Sequence, residues 1–215
     1  MIFRYMGHSF FTVTLENGSV YAFDPYGAFY AYPERRIPAD TCLVSHHHGD
    51  HDGTECVSGF RTLLDQPGIF GPERGVTVLG IPTWHDHHQG KHRGDNVFFV
   101  LEAEGLRVGH AGDLGHPLTR EQVMAIGSLD VLLLPVGGYY TQDAREAEEN
   151  RRLLSPRVTI PMHYRTEYNP EMPIAPLQDY LTLTGAKDTG LEILRVVEED
   201  LSEREPIITM AVWNR

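Results

Sequence analysis

Cysteine is scarce in this 215-residue chain, basic residues are outnumbered, and no apolar run is long enough to cross a bilayer. Each shortage excludes something. Two cysteines, Cys42 and Cys56, with no CxxC pair, cannot build a disulfide framework and suit a reducing compartment. With 18 Lys and Arg against 30 Asp and Glu, the net charge of −12 argues against the basic surface that long nucleic acids need, though it permits a local basic pocket. The stretch Met1 to His8 has no basic region followed by an apolar core. A protein without a membrane segment, located in the cytoplasm, is therefore expected. No Pro/Gly/Ser-rich linker and no internal repeat divides the chain, so one domain over residues 1–215 is expected.

Histidine is abundant, and it is clustered. Of 12 histidines, 8 lie in two short runs, 46–51 and 85–92. The first run, His46-His47-His48-Gly49-Asp50-His51, follows the apolar stretch Thr41 to Ser45. Imidazole and carboxylate are ligands of zinc and its neighbours, and such crowding is costly at neutral pH unless a cation organises it. If the apolar stretch is a strand, His46 and His48 share one direction and His47 takes the other, with Gly49 letting the chain turn to deliver Asp50 and His51. A disordered His tract or an expression tag would lack this framing.

The pattern around the runs is mainly β. Residues 10–15 and 20–23 flank Asn17-Gly18, a hairpin signal. Further strands are predicted at Thr41 to Ser45, Val76 to Ile81, Asn96 to Leu101, Leu106 to Gly109, Asp130 to Val136, Val158 to Pro161, Leu191 to Val197 and Ile207 to Trp213. Helices are predicted from the capping box at Thr119 and Gln122 to Gly127, from Thr141 to Leu154 with Asp143 in the first turn, and between Pro176 and Leu183. Sheets flanked by helices are the natural packing. Strand order does not follow from the pattern.

Three further candidate ligands sit where the first run sits, just past predicted strands: His85, Asp113 and His163. Strand ends converging on one sheet edge can assemble a site from distant segments.

The series His46-x-His48-x-Asp50-His51, His85, Asp113, His163 resembles the metallo-β-lactamase-fold metal-dependent hydrolases, and is similar in particular to a short branch of L-ascorbate-6-phosphate lactonase-like proteins. Gly7-His8-Ser9, Asp24-Pro25-Tyr26, Arg93-Gly94, His110 to His116, Pro135 to Gly138 and Ile160 to Tyr164 extend the likeness over nearly the whole chain. The resemblance implies an α/β fold, a four-layer αββα sandwich of two mainly antiparallel or mixed sheets flanked by helices. It also implies two divalent metal ions: His46, His48 and His85 on the first, Asp50, His51 and His163 on the second, and Asp113 bridging. Zinc is the expected metal, with manganese or iron compatible. Some β-lactamases of the family have Cys where Asp113 stands, so neither Cys42 nor Cys56 inherits a ligand role. The accessory domains of larger relatives, a flavodoxin module among them, have no room here.

The function implied is hydrolysis of a small anionic ester or lactone by a metal-bridging hydroxide, with Asp50 and Asp113 as the catalytic carboxylates. A water shared by two cations has its pKa lowered from about 16 to roughly 7 for zinc, so no Ser or Cys nucleophile is required. The alternatives are a phosphodiesterase or nuclease acting on a small phosphodiester, and a metal-binding scaffold without turnover. Arg93, His88 and Tyr164 are candidate substrate residues, Arg93 because its guanidinium can fork onto a carboxylate or phosphate in an otherwise acidic chain. Tyr139, Tyr140 and Arg165 follow predicted strand ends and are further pocket candidates. His47 is expected to be a supporting or packing residue, and His8, His110 and His116 either support ligands or pack. A small-molecule substrate is the expected partner, and a homo-oligomer is compatible.

Overall fold

The computed structural model describes residues 1–201 and 206–213. In chain order its elements are β1 (Ile2–Gly7), β2 (Phe10–Thr14), β3 (Val20–Phe23), β4 (Ile37–Pro38), β5 (Thr41–Leu43), β6 (Val57–Ser58), β7 (Thr62–Leu64) and β8 (Gly68–Phe70). Then follow β9 (Thr77–Trp84), β10 (Asp95–Ala103), β11 (Leu106–His110), α1 (Arg120–Ile126), β12 (Val131–Pro135), α2 (Ala144–Leu154), β13 (Val158–Met162), α3 (Leu177–Thr184) and β14 (Leu194–Arg195).

Two six-stranded sheets carry the fold, ordered β14-β1-β2-β3-β5-β7 and β13-β12-β11-β10-β9-β8. Their core follows from the two-residue period of a strand. In the first sheet Phe11, Val13, Tyr21, Phe23 and Leu43 join the large core cluster, while their neighbours Phe10, Ala22, Cys42 and Val44 belong to a second, aromatic-rich cluster. That second cluster takes in Tyr26, Tyr32 and Ile37, so the segment after β3 and the small β4/β6 pair cover this face. On the other sheet α1 packs against β9 and α2 against β12, and α3 packs against α2. Val131 to Leu134 are fully buried, as expected of a parallel strand covered on both faces.

Strand sense decides where the functional residues go. β1 is antiparallel to β2 and β2 to β3, while β3, β5 and β7 are parallel, so β1, β3 and β5 end on one edge. By the same reasoning β9, β11, β12 and β13 end together. Backbone bonds join these edges: Val97 N–H to Ser45 O at 2.9 Å and His163 N–H to His8 O at 2.8 Å.

Several boundaries differ from the predicted ones. α1 is capped by Thr119 with Gln122 and closed at Gly127, as the capping box predicts. α2 starts at Ala144, later than predicted, because Asp143 is its N-cap: the carboxylate accepts from Arg145 and Glu146 N–H. β5 stops at Leu43, so the histidine run lies in a loop and its alternation is not that of a strand. Ile207 to Trp213 forms no strand. Thr159 makes a two-bond bridge to the segment at Ile207, but the next outward-facing position of β13 is Pro161, which has no N–H to extend the ladder. β14, which pairs with β1 in the other sheet, is only two residues long, Leu194–Arg195, against the expected Leu191 to Val197. No helix among the described residues is long and apolar enough to cross a membrane.

Candidate metal centre

Three strand ends of the first sheet contribute His8, Asp24 and the 46–51 loop; three of the second contribute His85, Asp113 and His163. Three of these residues, His8, Asp24 and His163, have positive φ of 53°, 45° and 53°. A non-glycine residue there costs of order 1 kcal/mol and persists only where its surroundings fix it, which is common at functional sites. Gly49, by contrast, is not in the left-handed region: His51 and Asp52 N–H both reach His48 O, a helical turn any residue can make. Its lack of a side chain matters instead at the cleft mouth, which it lines.

The side chains form three donor groups, of which the third, Asp24 with His46 and His51, overlaps the other two. His46, His48 and His85 place ligand atoms within 4.8 Å of one another, and so do His8, Asp50, His51 and His163. Asp113 lies between these two groups. Its Oδ2 is 3.1 Å from His85 Nε2 and 3.2 Å from His163 Nε2, and its Oδ1 is 3.2 Å from His51 Nε2. The structure thus brings together all seven ligands expected from the sequence, and adds His8, whose Nε2 is 3.1 Å from Asp50 Oδ2.

Asp24 organises the first-sheet side. Its Oδ1 accepts from Ser45 N–H at 2.7 Å, and its Oδ2 accepts from the Ser45 hydroxyl at 2.6 Å and from His51 Nδ1 at 2.8 Å. Because Ser45 spends its one proton on Asp24, its oxygen accepts from His46 Nδ1 at 2.9 Å. The Nε2 lone pairs of both imidazoles are thereby directed into the site. Asn96 does the equivalent for Asp113, accepting its backbone N–H at 2.9 Å while donating to Thr83 and Ala111. Gly112, at φ +55°, leaves no space for a Cβ against Asn96 and Ser45.

A cation fits this donor set. Buried atoms without a hydrogen-bond partner include His46 Nε2, His51 Nε2, His163 Nε2 and Asp113 Oδ1. These four atoms lie in the donor groups and on the Asp113 carboxylate between them, where a cation would satisfy them together. The charges agree with this. Burial alone would raise the Asp113 carboxyl, but the imidazoles of His163, His51 and His85 hold it well below the usual range. Burial opposes a proton on His51 too, yet Asp113 and Asp24 hold its pKa well above normal, so a cation binding there displaces a proton. Burial and the neighbouring His163 push His8 down to about 4.

The centre opens into a cleft of about 640 Å³ lined by Asp50, His85, His92, Arg93, Phe29 and Tyr140 among others. Arg93 is held by the loop after His85. The buried Asp86 carboxylate accepts the backbone N–H of His88, Gly90, His92 and Arg93 at 2.7–3.1 Å, and although burial opposes its charge these four bonds lower its pKa to about 2. The Arg93 guanidinium donates to Tyr140 O at 3.0 Å and lies over the Tyr140 ring. Among the described residues no carboxylate pairs with it.

Other candidates are placed elsewhere. His88 is exposed against His92, outside the cleft lining, and Tyr164 is buried in the core beside Tyr5. Tyr139 is exposed, as is Arg165, whose backbone N–H bonds to Ala175 O. His47 faces solvent and Asp52, at 2.7 Å. His110 bonds Ser9 O across the sheets, and His116 accepts Trp84 N–H. Asp24, Ser45 and Asn96 have no distinguishing motif of their own; only the Asp24-Pro25-Tyr26 triplet touched on one of them.

Comparison with known proteins agrees with the fold. Residues 3–163 match the β-lactamase superfamily domain. A metal-dependent hydrolase of Thermococcus onnurineus is 32% identical over 191 residues, covering 76% of this chain and 84% of that protein. A Thermotoga maritima crystal structure, described as that of a Zn-dependent hydrolase of the metallo-β-lactamase superfamily, is 35% identical with a TM-score of 0.81, covering 99% of this chain and 100% of that one. Igni18, a metallo hydrolase of Ignicoccus hospitalis, shares the fold at 24% identity and a TM-score of 0.65, over 91% of this chain and 98% of its own.

Proposed function

We propose, for a chain that belongs to the metallo-β-lactamase superfamily of metal-dependent hydrolases, that its centre holds two divalent cations and hydrolyses a small anionic ester or lactone, in the manner of the lactonase-like branch. The observation that carries this reading is the position of Asp113 against both the His46/His48/His85 group and the His8/Asp50/His51/His163 group, with one oxygen toward His51 and the other toward His85 and His163.

His46, His48 and His85 would hold the first ion, Asp50, His51 and His163 the second, with Asp113 shared between them. Zinc suits this mixture of imidazole and carboxylate, as manganese and iron do. Two such ions supply a water nucleophile at neutral pH and polarise the oxygen under attack. The protein's own residues do the rest. Asp24 and Asn96 fix the ligands so that no reorganisation is needed on binding. Asp50, which both lines the cleft and belongs to a donor group, is placed to orient the attacking water. Arg93, with no acidic partner among the described residues, would hold an anionic group of the substrate.

The test is metal content and hydrolysis measured together. Asp113→Ala and His48→Ala should each lose bound metal and activity against a panel of lactones, esters and phosphodiesters, while circular dichroism remains unchanged. Full metal content in both variants overturns the ligand assignment. Turnover of phosphodiesters alone in the wild type replaces the ester reading with the phosphodiesterase one.

A further inference from the structure

A second cavity, of about 490 Å³, lies behind the first, and His48 and Arg93 line both. One wall of this cavity is Asp65, Gln66 and Pro67, the turn that joins the edge strands β7 and β8 of the two sheets and faces the histidine loop. Its walls include Trp84, Pro67, Pro82 and Val97, together with Asp65 and Asp95. The volume is in the range that takes a whole small ligand.

We infer that this cavity is a second chamber of the substrate site, which receives an apolar, planar arm of the substrate while Arg93 holds the anionic group at the junction. This inference rests on the hydrolase reading above and adds the shape and charge of the substrate. Continuity argues for the occupant: a molecule whose anion meets Arg93 has chambers on both sides of that anion, one at the metal centre and one here. The walls argue for its chemistry. Trp84 and two prolines offer flat apolar surface, on which a ring stacks. Asp65 and Asp95 repel a second negative charge. His47 approaches Asp65 at 3.7 Å but is also paired with Asp52 at 2.7 Å, so it does not offset both carboxylates.

Calorimetric titration of the zinc-loaded protein tests this without turnover. The probes are acetate, 4-phenylbutyrate and 4-(4-carboxyphenyl)butyrate. In the wild type 4-phenylbutyrate should bind at least about tenfold tighter than acetate, and the second carboxylate should cancel that gain. Trp84→Leu should shrink the gain to less than about threefold, since the stacking surface is lost. Arg93→Ala should weaken both monocarboxylates by a similar factor. The paired change Asp65→Asn with Asp95→Asn, which leaves Trp84 in place, should restore binding of the dicarboxylate. An undiminished gain in Trp84→Leu, or a dicarboxylate that binds the wild type as well as 4-phenylbutyrate does, overturns the chamber and puts the ring against Phe29 in the main cleft. A protein that shows the predicted binding pattern but hydrolyses no ester keeps the chamber and loses the substrate reading.

Discussion

Asp24 is the residue on which most of the first-sheet side depends, although its sequence context offers little to single it out. One carboxylate fixes the Ser45 backbone, the Ser45 hydroxyl and the His51 ring, and through Ser45 it sets the orientation of His46. Removing a supporting group of this kind costs typically 10–100-fold in metal affinity. Asp24→Ala should therefore retain the fold and bind zinc about 10–100-fold more weakly, as read by competition with a chromogenic chelator. Wild-type affinity in that variant would mean the imidazoles are held by packing alone. The candidate ligands themselves were legible because four of them, His46, His48, Asp50 and His51, lie within six residues and their chemistry is unusual in combination. Asp24 and His8 were less so: each is a single polar residue after a strand, and only the parallel sense of β1, β3 and β5 brings them to the same edge.

At the scale of elements, local rules worked where the interactions are local. Thr119 with Gln122 and Asp143 with Glu146 form complete capping boxes. The strand expected at Ile207 to Trp213 failed because its pairing depends on a distant proline in β13. Within α2, Glu148 accepts from Arg151 and Arg152 Nε, both at 2.7 Å. Burial alone would raise its carboxyl, but these bonds hold it below the ordinary value. A carboxyl lowered by folding binds fewer protons in the folded state, so its contribution is full above the ordinary carboxylate pKa and disappears as pH falls toward the folded value. The stability difference between wild type and Glu148→Gln should accordingly be about 0.5–1 kcal/mol at pH 7, limited by solvent screening because the Arg152 side chain is 73% exposed. It should narrow as pH falls below about 4.5. Urea titrations at pH 7 and 3.5 measure it, and a difference independent of pH would assign the effect to packing.

For the whole molecule, the metal centre is also a joint between the two sheets. His46, His51, Asp50 and His8 come from one sheet, and His85, Asp113 and His163 from the other, with buried unpaired atoms on both sides. A cation bound across them stabilises the sandwich by mass action, about 3–4 kcal/mol at several hundred times its Kd. Chelation should therefore lower the midpoint of thermal unfolding by roughly 6–15 °C, and added zinc should restore it. A midpoint indifferent to chelator would separate metal binding from the cohesion of the sheets.

The sequence by itself determined which residues are candidate ligands, because imidazole and carboxylate in that density have few other uses, and it determined most strands and capped helices, because those patterns are written in neighbouring residues. Tertiary structure alone decided the hydrogen bonds by which Asp24 and Asn96 hold their neighbours, the lack of a carboxylate partner for Arg93 among the described residues and the second cavity. Each of these depends on which strands run side by side and where the two sheets part, and long-range pairing of that kind leaves no local trace along the chain.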